Sequence, residues 1–328
     1  MVDGLKVLAT DQSIIRIFKL TAVFCCILFV SFSISIVNFP FSISNPIHSF
    51  NISQSIRLRN CTVVLHNPLG RLGNVLFEFA SAYGLSLEHK CRLYIGPEVI
   101  KELEKSFRIN ISNSLNQSEL SRSSPLEQIF NHCTYFPDLF QPNKSQFVEL
   151  VGYWQAYKHF ANQTDRIRDQ LRFQDVILNR ANSYIGSITN RTNISKSVGI
   201  HIRRGDFVNA RTISSEKFIY DAMDYFIKKY RFVNFLFASD DKPYCQRTFS
   251  QRNNTFVMPD SFSPAEDMAV LTLCNDIIIT VGTYSWWSAF LLQNRTGEVI
   301  TDSKLDHSPL DVDCQASVFF PSWFKFLN

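Results

Sequence analysis

From Val198 to Thr301, short β-branched and aromatic runs alternate with segments of helical periodicity, and this alternation restricts the fold more than any other feature. SVGIHI, VNFLFAS, TFVMP, DIIITVG and GEVIT read as strands. Between them, residues 214–230, a segment from about Pro243, SPAEDMAVLTLCN and YSWWSAFLLQN read as helices. Strands separated by helices of ten or more residues pair in parallel and are buried on both faces. In SPAEDM, Ser263 stands as an N-cap with Glu266 three residues on, the spacing of a capping box. The same order opens near Cys61. CTVVLH reads as a strand and NPLGRLGN as a loop. A helix then carries Leu76, Phe79, Ala80, Tyr83 and Leu87, and CRLYI follows as the next strand. The expectation is an α/β chain of doubly wound type.

Residues 104–146 are rich in Ser and Asn and read as a variable surface region. FVELVGYWQAYKHF reads as a strand ending in an aromatic turn, and residues 162–185 as a polar-faced helical link between two halves. This divides the body into 61–185 and 186–328. The chain has 328 residues, 45% of them hydrophobic and 30 of them Phe, enough for a large interior. A net charge of +4 excludes a general nucleic-acid binder.

The stretch Leu20–Val37 carries no charged residue and is long enough to span a bilayer, with Lys6, Arg16 and Lys19 before it. This predicts a cytoplasmic tail over 1–19, a signal-anchor over 20–37 and a polar stem over 38–60. A cleaved signal peptide and a buried core helix are the rival readings. Asn51, Asn60, Asn110, Asn116, Asn143, Asn162, Asn190, Asn193, Asn253 and Asn294 each open an N-glycosylation sequon, as expected of a lumenal body. Cys25 and Cys26 lie in the apolar stretch. Cys61, Cys91, Cys133, Cys245, Cys274 and Cys314 are spaced too widely for a zinc site and allow up to three disulfides.

In open parallel sheets ligands bind beyond the carboxyl ends of the strands. Four polar groups fall there: Gly70 to Asn74, His201 to Asp206, Ser239 to Asp241, and Thr280 to Ser285. Arginine forks, small hydroxyls at a helix start and strand-end carboxylates suit a nucleoside diphosphate. Each group also has a plainer reading. Gly70 and Gly73 shape a turn, Asp240 and Asp241 cap a helix, Trp286 and Trp287 fill the core, and Asp206 neutralises Arg203 and Arg204 internally. His201 alternates with Ile200 and Ile202 and faces either side. Asp311 to Asp313 spells a D-x-D of the sort that holds Mn²⁺ or Mg²⁺, but it lies in a polar loop and reads as surface. No metal site is expected.

HIRRGDF resembles the H-x-R-R-x-D signature of the galactoside α1,2-fucosyltransferases, glycosyltransferase family 11. GRLGNVLFEFASAYGLS, GYWQAYKHF, FASDD, DMAVLTLCNDIIITVGTYSWWSAFLL and FPSWF are similar to further motifs of that family, in the same order, from about Cys61 to the C-terminus. The resemblance implies a type II Golgi membrane protein of GT-B architecture, with two Rossmann-like domains facing a cleft. Residues 61–185 would form the acceptor side and 186–328 the GDP-fucose side. It implies transfer of L-fucose from GDP-fucose to a galactose-terminated glycan, with inversion and without cofactor or essential metal. On that likeness Arg203, Arg204 and Asp206 are the catalytic candidates. His201, Arg203, Arg204, Asp240, Asp241, Thr283, Ser285, Gly73 and Asn74 are the donor-binding candidates.

Asp206, Glu266 and Asp267 are candidates for a general base. Val75 and Glu78 stand where the family has glutamine, Gly282-Thr283-Tyr284 replaces its N-S-S-F, and Ser288 replaces a glycine. These departures bear on acceptor choice. Direct fucosylation of protein hydroxyls is a second reading, and a membrane-tethered glycan-binding protein without catalysis is a third. Neutral glycans need amides, carboxylates and aromatic platforms, so two cleft arginines fit the third poorly.

Overall fold

The computed structural model describes residues 60–111, 114–120, 126–140, 146–210, 213–302 and 314–327. The apolar stretch 20–37, the tail, most of the stem, Asn51, Asn143 and Asp311–Asp313 lie outside these residues. Among the described residues no helix is long and apolar enough to cross a membrane.

Sheet one joins β1 (Cys61–Leu65), β2 (Arg92–Ile95), β3 (Glu127–Phe130) and β4 (Gln146–Val151) in the order β2-β1-β4-β3, all parallel. Its helices are α1 (Leu72–His89), α2 (Pro97–Glu104) and α3 (Gln117–Leu120). The chain continues through α4 (Thr164–Gln170) and α5 (Asp175–Thr192). Sheet two joins β5 (Ser197–Ile202), β6 (Asn234–Ser239), β7 (Thr255–Val257), β8 (Asp276–Ile279), β9 (Val299–Asp302) and β10 (Phe324–Leu327). Its order is β10-β9-β8-β5-β6-β7, again all parallel. Between these strands run α6 (Phe207–Ala210), α7 (Glu216–Tyr230), α8 (Lys242–Phe249), α9 (Pro264–Leu273), α10 (Thr283–Phe290) and α11 (Ala316–Phe319). Both sheets belong to one unit, Ser55–Asn328. β10 extends sheet two beyond GEVIT, the last strand expected. FKFL alternates too briefly to announce a strand, and among the described residues it pairs along one edge, on β9.

Local signals account for several helix starts. Ser263 accepts from the Glu266 N–H and the Glu266 carboxylate accepts from the Ser263 N–H, so the expected capping box begins α9. Ser215 caps α7 by accepting from the Phe218 N–H and Asp241 caps α8 by accepting from the Tyr244 N–H, without the reciprocal bond. One core runs from sheet one through α1, α5, α9 and α10 to a face of sheet two. A second lies between the opposite face and helices α7 and α8. Helices thus cover both faces of sheet two, the doubly wound arrangement. Trp286 and Trp287 are fully buried, and Phe77 of α1 packs 4.6 Å and 5.2 Å from their rings. They are core residues, not a stacking platform.

Among the described residues two disulfides form, Cys61–Cys91 and Cys133–Cys314, where up to three were allowed. Cys245 and Cys274 are free because they belong to the two separate cores, and burial pushes both thiols up to about 12. Asn60, Asn110, Asn116, Asn162, Asn190, Asn193 and Asn253 are exposed. Asn294 differs in being half-buried, with its Nδ2, the atom a glycan would need, donating to the Asn275 carbonyl; Asn162 Nδ2 also donates, to Glu88 at 3.1 Å, but on the surface.

Candidate active site

The chain runs β5, β6, β7 outward on one side of β5, then returns to β8 on the other. The switch point is therefore between β5 and β8, and in doubly wound sheets the ligand crevice lies just outside such strand ends. A cleft of about 950 Å³ opens there, in the size range of small-molecule sites. Thr280 ties the two strand ends together. Its Oγ1 accepts from the Arg203 N–H at 2.9 Å and donates to the His201 carbonyl at 3.1 Å.

Two helix N-termini converge on this cleft. α1 begins after Arg71 and α10 after Gly282, and neither has a side-chain cap. Uncapped first turns leave N–H groups and the positive end of the helix dipole for an anion. Gly73 permits the approach, since a Cβ there would lie 2.6 Å from both Thr283 Oγ1 and the Tyr284 nitrogen. Asn74 Oδ1 accepts from Thr283 Oγ1 at 2.8 Å and from Gln155 Nε2 at 3.2 Å, joining the two sheets' sides of the cleft.

The charged groups form a chain across the cleft. Arg203 pairs with Asp206 and Asp240, and Arg71 approaches Asp206 at 3.6 Å. Asp240 Oδ1 also accepts from the Arg204 N–H at 2.8 Å. Gly205, at φ +20°, lies so close that a Cβ would sit 2.4 Å from Asp240 Oδ2.

The profile of glycosyl transferase family 11 matches residues 42–326. The chain belongs to that family. The galactoside alpha-(1,2)-fucosyltransferase 2 of Sus scrofa is 26% identical over 270 residues, covering 78% of this chain and 78% of that protein. The galactoside 2-alpha-L-fucosyltransferase SEC1 of Bos taurus is 28% identical over 243 residues, covering 70% of this chain and 64% of that one. Among solved structures, apo POFUT1 aligns with a TM-score of 0.46 at 12% identity, over 74% of this chain and 97% of that chain. The NodZ alpha-1,6-fucosyltransferase soaked with GDP-fucose aligns at 0.44 and 13%, over 74% and 95%. At that distance nothing about this chain's function follows from the structural likeness.

In this family 11 transferase the two adjacent arginines diverge. Arg203 lines the cleft, while Arg204 does not. The Arg204 guanidinium lies 3.6 Å over the Tyr244 ring and its Nε donates to Asp241 at 3.3 Å. Asp241 is committed to capping α8 through the Tyr244 N–H and also stands behind the lining. Ser285 is sealed: its hydroxyl donates to the Val281 carbonyl and accepts from His201 Nδ1 at 2.5 Å. His201 borders the cleft with a buried ring against Tyr284. Burial, reinforced by Arg203, pushes it down to about 3, so it is neutral at any working pH. Gly73, Asn74, Asp206, Asp240 and Thr283 line the cleft.

Of the base candidates, Glu266 is spent on its capping box and on Arg180 at 2.8 Å, and it does not reach the cleft. Burial alone would raise it, but bonds from Ser263 and the Arg180 charge hold it below the usual carboxylate range. Asp267 does line the cleft. Burial raises it to about 6 against the opposing pull of Lys242, 2.9 Å away.

Tyr153 and Gln155, to which the sequence assigned no role, line the cleft from sheet one. Their position just after a strand end and their place within the GYWQ motif were the available signals. Glu102, Lys105 and Ser106, at and just beyond the end of α2, line it too, and nothing local marks them. Behind the Gly70 turn, Glu78 Oε2 accepts from the Leu69 N–H at 3.0 Å. Its other oxygen is buried without a partner among the described residues, and burial raises the carboxyl to about 8. Among the described residues no cluster of three or more His, Cys, Asp or Glu side chains could hold a metal ion.

Proposed function

We propose that the chain transfers L-fucose from GDP-fucose to the 2-hydroxyl of a galactoside, giving an α1,2 linkage with inversion. One observation carries the donor half: Arg203 and two uncapped helix N-termini meet at the β5–β8 switch point. That is a site for a diphosphate. The sugar and linkage rest on family membership and on the printed names of the relatives.

The acceptor oxygen attacks C1 of fucose, the bond from C1 to the phosphate oxygen breaks, and GDP leaves with the electron pair. Negative charge grows on the diphosphate, so preorganised donors stabilise the transition state more than the ground state. Arg203 and the first turns of α1 and α10 provide them, and no resident metal is needed for that task. Arg203 exchanges its contacts with Asp206 and Asp240 for phosphate oxygens when the donor enters. The acceptor arrives from the sheet-one side, so its proton goes to a carboxylate at the meeting of the two halves. Asp206, in reach of Arg71, fits better than Asp267, which is held by Lys242 on the nucleotide side. Two facing α/β halves around this cleft correspond to a GT-B arrangement. The two disulfides, the exposed sequons and the apolar stretch 20–37 support a lumenal, Golgi-type, membrane-anchored enzyme.

The test is GDP release from GDP-fucose by the full chain, made in a secretory host, against a panel of galactosides with and without EDTA. Turnover on a galactoside with EDTA present is expected, with the new bond assigned by NMR. No turnover on any acceptor together with no GDP binding would overturn the reading.

A further inference from the structure

Sheet one carries a row of rings at its cleft end that the donor site does not use. Phe130 ends β3 and Val151 ends β4, and the two are register partners. Whatever follows them therefore emerges at the carboxyl end of the sheet, where the cleft lies. After β4 the chain turns sharply, with Gly152 at φ +90° and Trp154 at φ +48°. A Cβ on Gly152 would meet the Asn131 carbonyl oxygen at 2.4 Å. The turn is docked on the segment after β3: Gln155 N–H donates to the His132 carbonyl at 2.7 Å and Trp154 N–H to Asn131 at 3.3 Å. Trp154 is a non-glycine residue held in the left-handed region by this docking and by its own burial, and strain of that kind concentrates at functional sites.

The docking lines up three side chains. Tyr153 borders the cleft, His132 stands 5.5 Å from it at 40°, and Phe130 stands 4.8 Å from His132 at 86°. Tyr153 and His132 are half-buried, and Phe130 is 64% exposed. A single exposed phenylalanine needs no explanation. One that ends a row of rings running into a cleft is a different case, because contiguous exposed apolar surface marks ligand grooves. None of these three side chains carries a permanent charge, and the row lacks the cationic fork that suits a phosphate. A pyranoside, with one face of C–H groups and hydroxyls at its rim, fits ring faces flanked by an amide, and Gln155 supplies that amide.

We propose that Tyr153, His132 and Phe130 form a subsite for the inner sugars of a neutral oligosaccharide acceptor, those beyond the residue that receives fucose. The proposal rests on the functional reading above. It implies that the chain distinguishes acceptors of several sugars from a lone galactoside, and that Phe130 reads the outermost of them.

The experiment is saturation-transfer NMR on the full chain with GDP present, using a neutral galactose-terminated tetrasaccharide and methyl β-galactoside as probes. Wild type is compared with Phe130→Ala and Phe130→Tyr, and KM for both acceptors is measured alongside. Phe130→Ala is expected to weaken the tetrasaccharide about three- to tenfold. Methyl β-galactoside and GDP affinity should stay unchanged, and Phe130→Tyr should behave like wild type. Equal weakening of both acceptors, or none of either, overturns the subsite. Absence of GDP binding in wild type overturns the donor assignment instead, and saturation transfer to the tetrasaccharide still decides the subsite.

Discussion

Thr283 Oγ1 donates to Asn74 Oδ1 across 2.8 Å, and this bond joins the first turns of α10 and α1, helices of different sheets. Asn74 thus sets the spacing of the two N-termini on which the diphosphate is proposed to rest. Asn74→Ala loses this bond and the one from Gln155. The expected cost is about 1–2 kcal/mol of stability, with a several-fold rise in Kd for GDP. Thermal melts with and without GDP check it, and the GDP-induced rise in Tm should shrink.

Arg203 and Arg204 are neighbours in sequence with different surroundings, so their lysine variants should separate. Arg203→Lys keeps the charge but loses the fork. A drop of roughly 10²-fold in kcat is expected, the scale of one lost transition-state donor. Arg204→Lys gives up a stack on Tyr244 and a bond to Asp241, and the expected result is a modest stability loss with kcat within a few-fold of wild type. Steady-state kinetics on both variants decides. Equal losses would contradict the divergence of the two side chains.

That divergence shows where the sequence stops being informative. HIRRGDF marked a strand end with an anion site, and the order β5 to β8 made it the switch point, but which arginine faces the cleft depends on Tyr244 and Asp241, some forty residues away. Signals that act within one turn were legible: the Ser263–Glu266 capping box stands as spaced. Signals that need a distant partner were not. Cys133 finds Cys314 only once the fold brings them together, and β10 exists only because β9 offers an edge. Tyr153 stood in plain view after a strand end, yet its ring acquires meaning only beside His132 and Phe130.

Gly73 and Gly186 should respond oppositely to alanine. At Gly73 a methyl would press on the Tyr284 backbone nitrogen, which cannot swing aside as a side chain can. Gly73→Ala is expected to cost about 1–3 kcal/mol and to abolish most GDP binding by forcing α1 and α10 apart. Gly186 lies within α5 with nothing inside 4 Å of its would-be Cβ. Gly186→Ala should stabilise by about 0.5–1 kcal/mol with activity unchanged. Denaturant titration and calorimetric GDP binding measure both.

The Cys133–Cys314 bridge ties the segment after β3 to the segment before α11, 181 positions apart in the chain. Phe319 and Phe320, just beyond Cys314, line the cleft. Cys314→Ser is expected to cost about 2–5 kcal/mol and to lower activity, whereas Cys274→Ser, buried beside Ser197 at the start of β5 and away from the strand ends that face the cleft, should leave kcat unchanged. Melting curves and kinetics on the two variants test this contrast.

Glu78 gives a pH dependence whose sign can be worked out. Burial raises its carboxyl from 4.5 to about 8, so between those values the folded chain holds a proton that the unfolded chain has lost. Stability must then fall as pH rises through this window, and it levels off once both states are ionised. Other groups act elsewhere. Asp267, raised to about 6, is ionised in both states above that pH. His159 and His201, both lowered to about 3 by burial, are neutral in both states above about 7 and destabilise only as pH falls below their unfolded value of 6.5. Cys245 and Cys274 act only toward and above 9. From pH 7 to about 8 the slope therefore belongs chiefly to Glu78. Glu78→Gln, which copies the protonated form and can still accept from the Leu69 N–H, should flatten it. The variant should match wild type near pH 5 and exceed it at pH 8.5. Because Leu69 leads directly into the Gly70–Arg71 rim of the cleft, the same substitution should extend activity to higher pH. Thermal melts and kcat/KM recorded from pH 5 to 8.5 test both expectations, and an unchanged slope in Glu78→Gln would remove Glu78 as its source.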